Sequence, residues 1–250
     1  MRAILAIALA ATAVSPTSAL AAKLRLDLTA SADQRTRMDN GIEAVDADLP
    51  GSSVRILESE EPVRKRGVLL IYVLNAGGEP VNFGPENVTI ESEAGEAFEV
   101  IPYDTLVKEE KNRQMWAAIA TGLAAASNSY NASTSATSYG SFNAYGSGGW
   151  SRGNYSTYNP AAASMATSLA NTQNQQSFDR LATNRVASME ALKVNMRTTT
   201  VDPGKDFGGQ VTFELPKALR SSKVPVPLRI KVRMGAEEHV IAGTLAAWKK

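Results

Sequence analysis

Gln114-Met115-Trp116-Ala117-Ala118-Ile119-Ala120-Thr121-Gly122-Leu123-Ala124-Ala125-Ala126 is a helical sequence set between stretches that read as strands. Trp116, Ile119, Ala120 and Leu123 recur on one face at helical spacing, which predicts a packing stripe. At roughly 13 apolar or small residues the run falls short of the about 20 a membrane-spanning helix needs. Upstream, Asp104 is placed to cap the helix, and Glu109 lies four residues before Arg113, the favourable order for a surface ion pair. Downstream, Pro160 suits the first turn of a returning helix. That second helix is predicted to run to Met196, with Phe178, Leu181, Ala182, Val186, Met189, Leu192 and Met196 forming an apolar face against the first helix or the β-domain.

Between the two helices, residues 127–159 turn to Ser, Asn, Tyr, Gly and Thr, with Arg152 the only charge. Two readings fit this composition. One is a hydrated loop or loose β-ribbon; the other is an aromatic contact surface made by Tyr139, Phe142, Tyr145, Trp150, Tyr155 and Tyr158, in which rigid rings alternate with adaptable polar groups. Gly146, Gly148 and Gly149 offer a turn near the middle.

The flanks are β-like. Leu24, Leu26 and Leu28 alternate with charged neighbours, and Ser53–Leu57 reads as a second strand. Gly67–Leu74 is the most apolar run after the N-terminus, predicted to be a central strand covered on both faces. Val88–Ile90 and Ala97–Ile101 form a hairpin pattern. Beyond the insertion come Thr198–Val201, Gly209–Leu215, Val226–Met234 with Leu228, Ile230, Val232 and Met234 inward, and His239–Leu245. Residues 30–50 carry no periodic signal, and their Glu43, Asp46 and Asp48 read as a solvated loop.

About nine short strands predict an antiparallel β-sandwich, residues 23–103 and 197–250, interrupted by a helix–low-complexity–helix excursion over 104–196. Val68–Asn75 with its Gly-Gly-Glu-Pro turn, Asn87-Val88 leading to Glu93-Ala94-Gly95, Val201-Asp202-Pro203-Gly204, and Gly209-Gln210-Val211-Thr212-Phe213-Glu214-Leu215-Pro216 together resemble the telokin-like immunoglobulin-fold domains of bacterial secreted proteins and lipoproteins. The resemblance covers about half the chain. It implies an Ig-like sandwich, and brings no catalytic motif with it.

Met1-Arg2, the apolar run Ala3–Ala10 and Ala19-Leu20-Ala21 read as a secretory signal peptide over residues 1–22, which implies a periplasmic or extracellular protein. With no cysteine there is no lipidation site after the signal, no disulfide and no thiolate metal site. Cleavage removes one of 26 basic side chains and balances the rest against 25 acidic ones, which argues against nucleic acid as a partner.

Candidate chemistry is sparse. His239 is the only histidine, so a multi-histidine metal site is excluded. The row Arg229, Lys231 and Arg233 is a candidate contact for anionic envelope polymers, unless cross-strand carboxylates neutralise it. The sequence therefore points to a non-catalytic envelope module without a cofactor. Its contact with a protein partner or with another copy would run through Trp116, Ile119, Leu123 and the aromatic tip. Two alternatives stand beside this reading: a fibre-forming surface protein that uses 127–159, and a hydrolase without a recognisable motif.

Overall fold

Alternation at period 2 places one set of side chains from each strand in a common core, and β5 (Arg66–Asn75) shows it most fully: Gly67, Leu69, Ile71, Val73 and Asn75 are buried. Tyr72 and Leu74 of the same strand are exposed, so this central strand is covered on one face, not two. The computed structural model describes residues 23–39, 41–58, 61–222 and 224–248. The expected signal peptide lies outside them.

The remaining elements are β1 (Leu24–Thr29), β2 (Arg35–Asp39), β3 (Ile42–Leu49), β4 (Ser52–Leu57), β6 (Val81–Phe83), β7 (Val88–Ser92), β8 (Ala97–Ile101), α1 (Tyr103–Thr134), β9 (Thr137–Gly146), β10 (Gly149–Tyr158), α2 (Pro160–Leu192), β11 (Thr199–Val201), β12 (Asp206–Glu214), β13 (Val226–Met234) and β14 (Glu237–Ala247). Ten strands make one antiparallel sheet in the order β1-β14-β13-β7-β8-β12-β5-β4-β3-β2. β8 turns the corner of this sheet. Its start pairs with β7 and its end with β12, and Phe98 meets Phe213 edge-on at 6.0 Å there. The sheet curls nearly shut: β1 and β14 come against β3, and Leu24 and Val63 exchange backbone hydrogen bonds of 2.8 and 2.7 Å. The fold is mainly β with two helices, and its long sheet approaches a barrel.

Residues 30–50 depart from the expected loop. Arg35–Asp39 is a charged edge strand, and Asp46, predicted to be solvated, is buried on β3, where it accepts from Arg55 Nε at 2.7 Å and from Arg37 at 3.4 Å. A buried carboxylate is tolerated because two guanidiniums offset its desolvation.

The helices leave from β8 and return beside β12. Leu106 and Met196 are buried at the two roots, and residues 194–196 run along β12 through Met196 N to the Gln210 carbonyl (2.8 Å) and Gln210 N to the Val194 carbonyl (2.9 Å). Arg197 lies 4.0 Å over the Tyr103 ring, joining the start of α1 to the segment after α2.

Candidate interaction surface

α1 spans 32 residues and α2 33, so each is about 48 Å long at 1.5 Å per residue. Among the described residues they pack chiefly against each other, antiparallel, and make no extensive contact with the barrel. The seam between them is made of small and polar residues. Gln114, Ala117, Thr121, Ala125 and Ala132 on α1, and Ala163, Ala166, Ala170, Asn174, Leu181 and Ser188 on α2, are among the positions withdrawn from solvent. Small side chains let the backbones approach, and hydrogen bonds fix the register. Asn174 Nδ2 donates to the Ala125 carbonyl and to Ser129 Oγ, both at 3.2 Å, Asn128 donates to Asn174 Oδ1, and Arg113 donates to Ser188 Oγ.

This overturns the expected packing stripe. Trp116, Ile119 and Leu123 are 65%, 46% and 68% exposed, and Phe178, Ala182 and Val186 of the expected second face are also exposed, while Leu181, Met189 and Leu192 are half-buried. The physical reason is geometric: the alanine-rich face permits the closest helix–helix approach, and occupying it turns the bulky residues outward. Neither helix is long and apolar enough to cross a membrane.

The tip is structured. α1 continues past the expected boundary at Ser127 to Thr134, and β9 and β10 then form a ten-residue-by-ten-residue antiparallel ribbon that, among the described residues, pairs with no other strand. Asn159 caps α2 by accepting from the backbone N–H groups of Ala161 and Ala162 at 3.1 Å, which sets Pro160 in the first turn. One ribbon face carries Tyr139, Tyr145, Trp150 and Tyr158, with Tyr145 and Trp150 directly opposed and 6.0 Å apart. The other face carries Phe142 and Tyr155, each ring lying over the cross-strand glycine. A Cβ on Gly153 would sit 2.6 Å from the Phe142 ring, and one on Gly140 2.5 Å from Tyr155. All six of these aromatic residues are exposed, Tyr139 to 83%.

The other candidates resolve into structure. Lys231 pairs with Glu91, Arg233 lies 3.6 Å from Glu238, and Arg229 stands opposite Glu91 across β7, so the basic row is interleaved with carboxylates. His239 is 2% exposed, and Ser52 Oγ lies 2.8 Å from its Nε2. Ser52 Oγ also donates to a Glu237 carboxylate oxygen at 2.5 Å, so the hydroxyl stands between Glu237 and the imidazole. Nδ1 is buried, with no hydrogen-bond partner of good geometry among the described residues. Burial holds the His239 pKa below its ordinary value, partly offset by Glu237, the Ala47 backbone and Asp48. The Ser52 hydroxyl is itself buried and shared between two neighbours, an arrangement that braces β4 against β14.

No known protein family matches the chain, and neither a curated protein nor a solved structure does.

Proposed function

We propose that the protein is a non-catalytic, exported assembly module of the cell envelope, in which a β-domain carries a helical stalk that binds another protein, foremost a second copy of itself. The observation that carries this reading is the outward placement of Trp116, Ile119 and Leu123 on α1.

The stalk patch is not enough alone. Covering the exposed parts of Trp116, Ile119 and Leu123 contributes about 3–5 kcal/mol, which only meets the lower end of the about 4–15 kcal/mol that association costs. A stable assembly on this plan therefore also engages α2 and the aromatic tip. Export rests on the charged and apolar N-terminal pattern, and the lack of cysteine supports a soluble rather than lipid-anchored mature chain. The antiparallel sheet and its corner strand β8 are compatible with the telokin-like, Ig-like sandwich that the sequence resembles, and that assignment belongs to the same proposal.

The test is the mass of the mature protein by light scattering over a wide concentration range. Discrete oligomers that weaken in Trp116→Ala are expected; a wild-type chain that stays monomeric throughout removes self-association.

A further inference from the structure

The tip ribbon has two free edges. β9 and β10 are each ten residues long, pair in unbroken register from Tyr158–Thr137 to Gly149–Gly146, and carry one charge, Arg152, and no proline. Natural sheets blunt exposed edges with lysine, proline, bulges or covering elements, because an open row of N–H and C=O groups is a template for another strand. None of these devices is present among the described residues. A two-stranded ribbon is also marginal in water and gains its stability from a third strand or a packed face.

We infer that ribbons of neighbouring copies join head to tail, the β9 edge of one against the β10 edge of the next, into a continuous antiparallel sheet carried on side-by-side stalks. This rests on the self-association reading above and gives it a geometry. In copies whose stalks point the same way, β9 runs towards the tip and β10 away from it. A β9 edge meeting a neighbour's β10 edge is therefore antiparallel, the more stable arrangement. Each copy offers both halves of the contact, so the interface is heterologous and ends only when the ring closes. The same stacking keeps the two ribbon faces continuous, one with Tyr139, Tyr145 and Trp150, the other with the glycines under Phe142 and Tyr155.

The chain has no cysteine, so single cysteines report contacts cleanly. Ser141→Cys and Ser138→Cys place a thiol on β9, and Ser151→Cys and Asn154→Cys place one on β10; circular dichroism confirms that each variant folds. Under mild oxidation, mixtures of a β9 variant with a β10 variant are expected to give a mixed disulfide dimer in at least one pairing, well above the dimer formed by any single variant. Dimers from β9 variants alone would mean a two-fold contact and overturn the head-to-tail arrangement. Oligomers by light scattering with no cross-link in any mixture would sink the edge pairing while leaving self-association standing, and a monomer would sink both. Oligomers that form only when phosphatidylglycerol-containing vesicles are added would make lipid, not a second copy, the primary cover of the ribbon, and would also overturn the proposal.

Discussion

Arg66 and Glu109 meet as a two-pronged ion pair between the central strand and the first turns of α1, Nη1 to Oε2 at 2.6 Å and Nη2 to Oε1 at 2.8 Å. Arg66 Nε also donates to Glu214 at 3.2 Å, so one guanidinium ties β5, β12 and the stalk together. Both ends of the pair remain partly exposed, which limits its worth to about 0.5–1 kcal/mol. Glu109→Gln is expected to lower stability by about that amount in urea unfolding. Its larger effect should appear as faster amide exchange in the first turns of α1, where few other contacts hold the stalk. A loss above about 2 kcal/mol would show that the stalk root is part of the cooperative core.

His239 gives the fold a pH dependence of known sign. Its folded pKa lies below the ordinary 6.5, so on acidification the unfolded chain takes up a proton that the folded chain refuses. Stability should be constant above neutrality and fall as pH drops through 6.5, levelling once the folded pKa is passed. Glu109, which the Arg66 hydrogen bonds hold below the usual carboxylate range, adds a second loss at more acidic pH. Melting temperatures from pH 8 to 5 in the wild type and His239→Gln check this, since no other histidine is present. An unchanged slope in the variant would contradict the assignment.

Gly67 and Gly208 lie under the rings of Phe213 and Tyr72, and a Cβ at either would collide with the ring. The rings differ in freedom: Phe213 is fully buried, and Tyr72 is 41% exposed. Gly67→Ala is therefore expected to cost about 1–3 kcal/mol by overpacking, while Gly208→Ala lets Tyr72 swing into solvent and costs less than about 1 kcal/mol. Denaturant midpoints of the two variants distinguish these outcomes, and equal losses would refute the distinction.

Trp116→Ala should leave the midpoint of the isolated chain within about 0.5 kcal/mol of the wild type, because the residue is 65% exposed and outside the helix–helix seam. A buried tryptophan would cost about 3–5 kcal/mol. Urea titration at low protein concentration, where association is negligible, separates the two.

The strands that the sequence revealed are those with one face in the core. Leu24, Leu26 and Leu28, and Leu228 through Met234, alternate because water is excluded from one side only. Arg35–Asp39 escaped detection because an edge strand of charged residues buries no face and leaves no periodic trace. The stalk was legible as two helices but not in its orientation. Large apolar residues usually mark the inner face, whereas here the closest approach belongs to alanine, threonine and asparagine. The ribbon was legible as one of two readings, with its turn at Gly146–Gly149, but its register was not: Gly140 beneath Tyr155 and Gly153 beneath Phe142 are complementary across strands, and neither strand read alone contains that relationship.

The Asn174 hydrogen bonds to Ala125 and Ser129 make the stalk a spacer of defined phase. Adding seven residues to each helix above this point would carry the ribbon about 10.5 Å farther from the barrel and turn it by only about 20°. Adding one residue to each would rotate everything beyond it by about 100°, aiming the ribbon edges away from where the barrel now sets them. Reach and bearing of the tip are thus separately adjustable through stalk length alone.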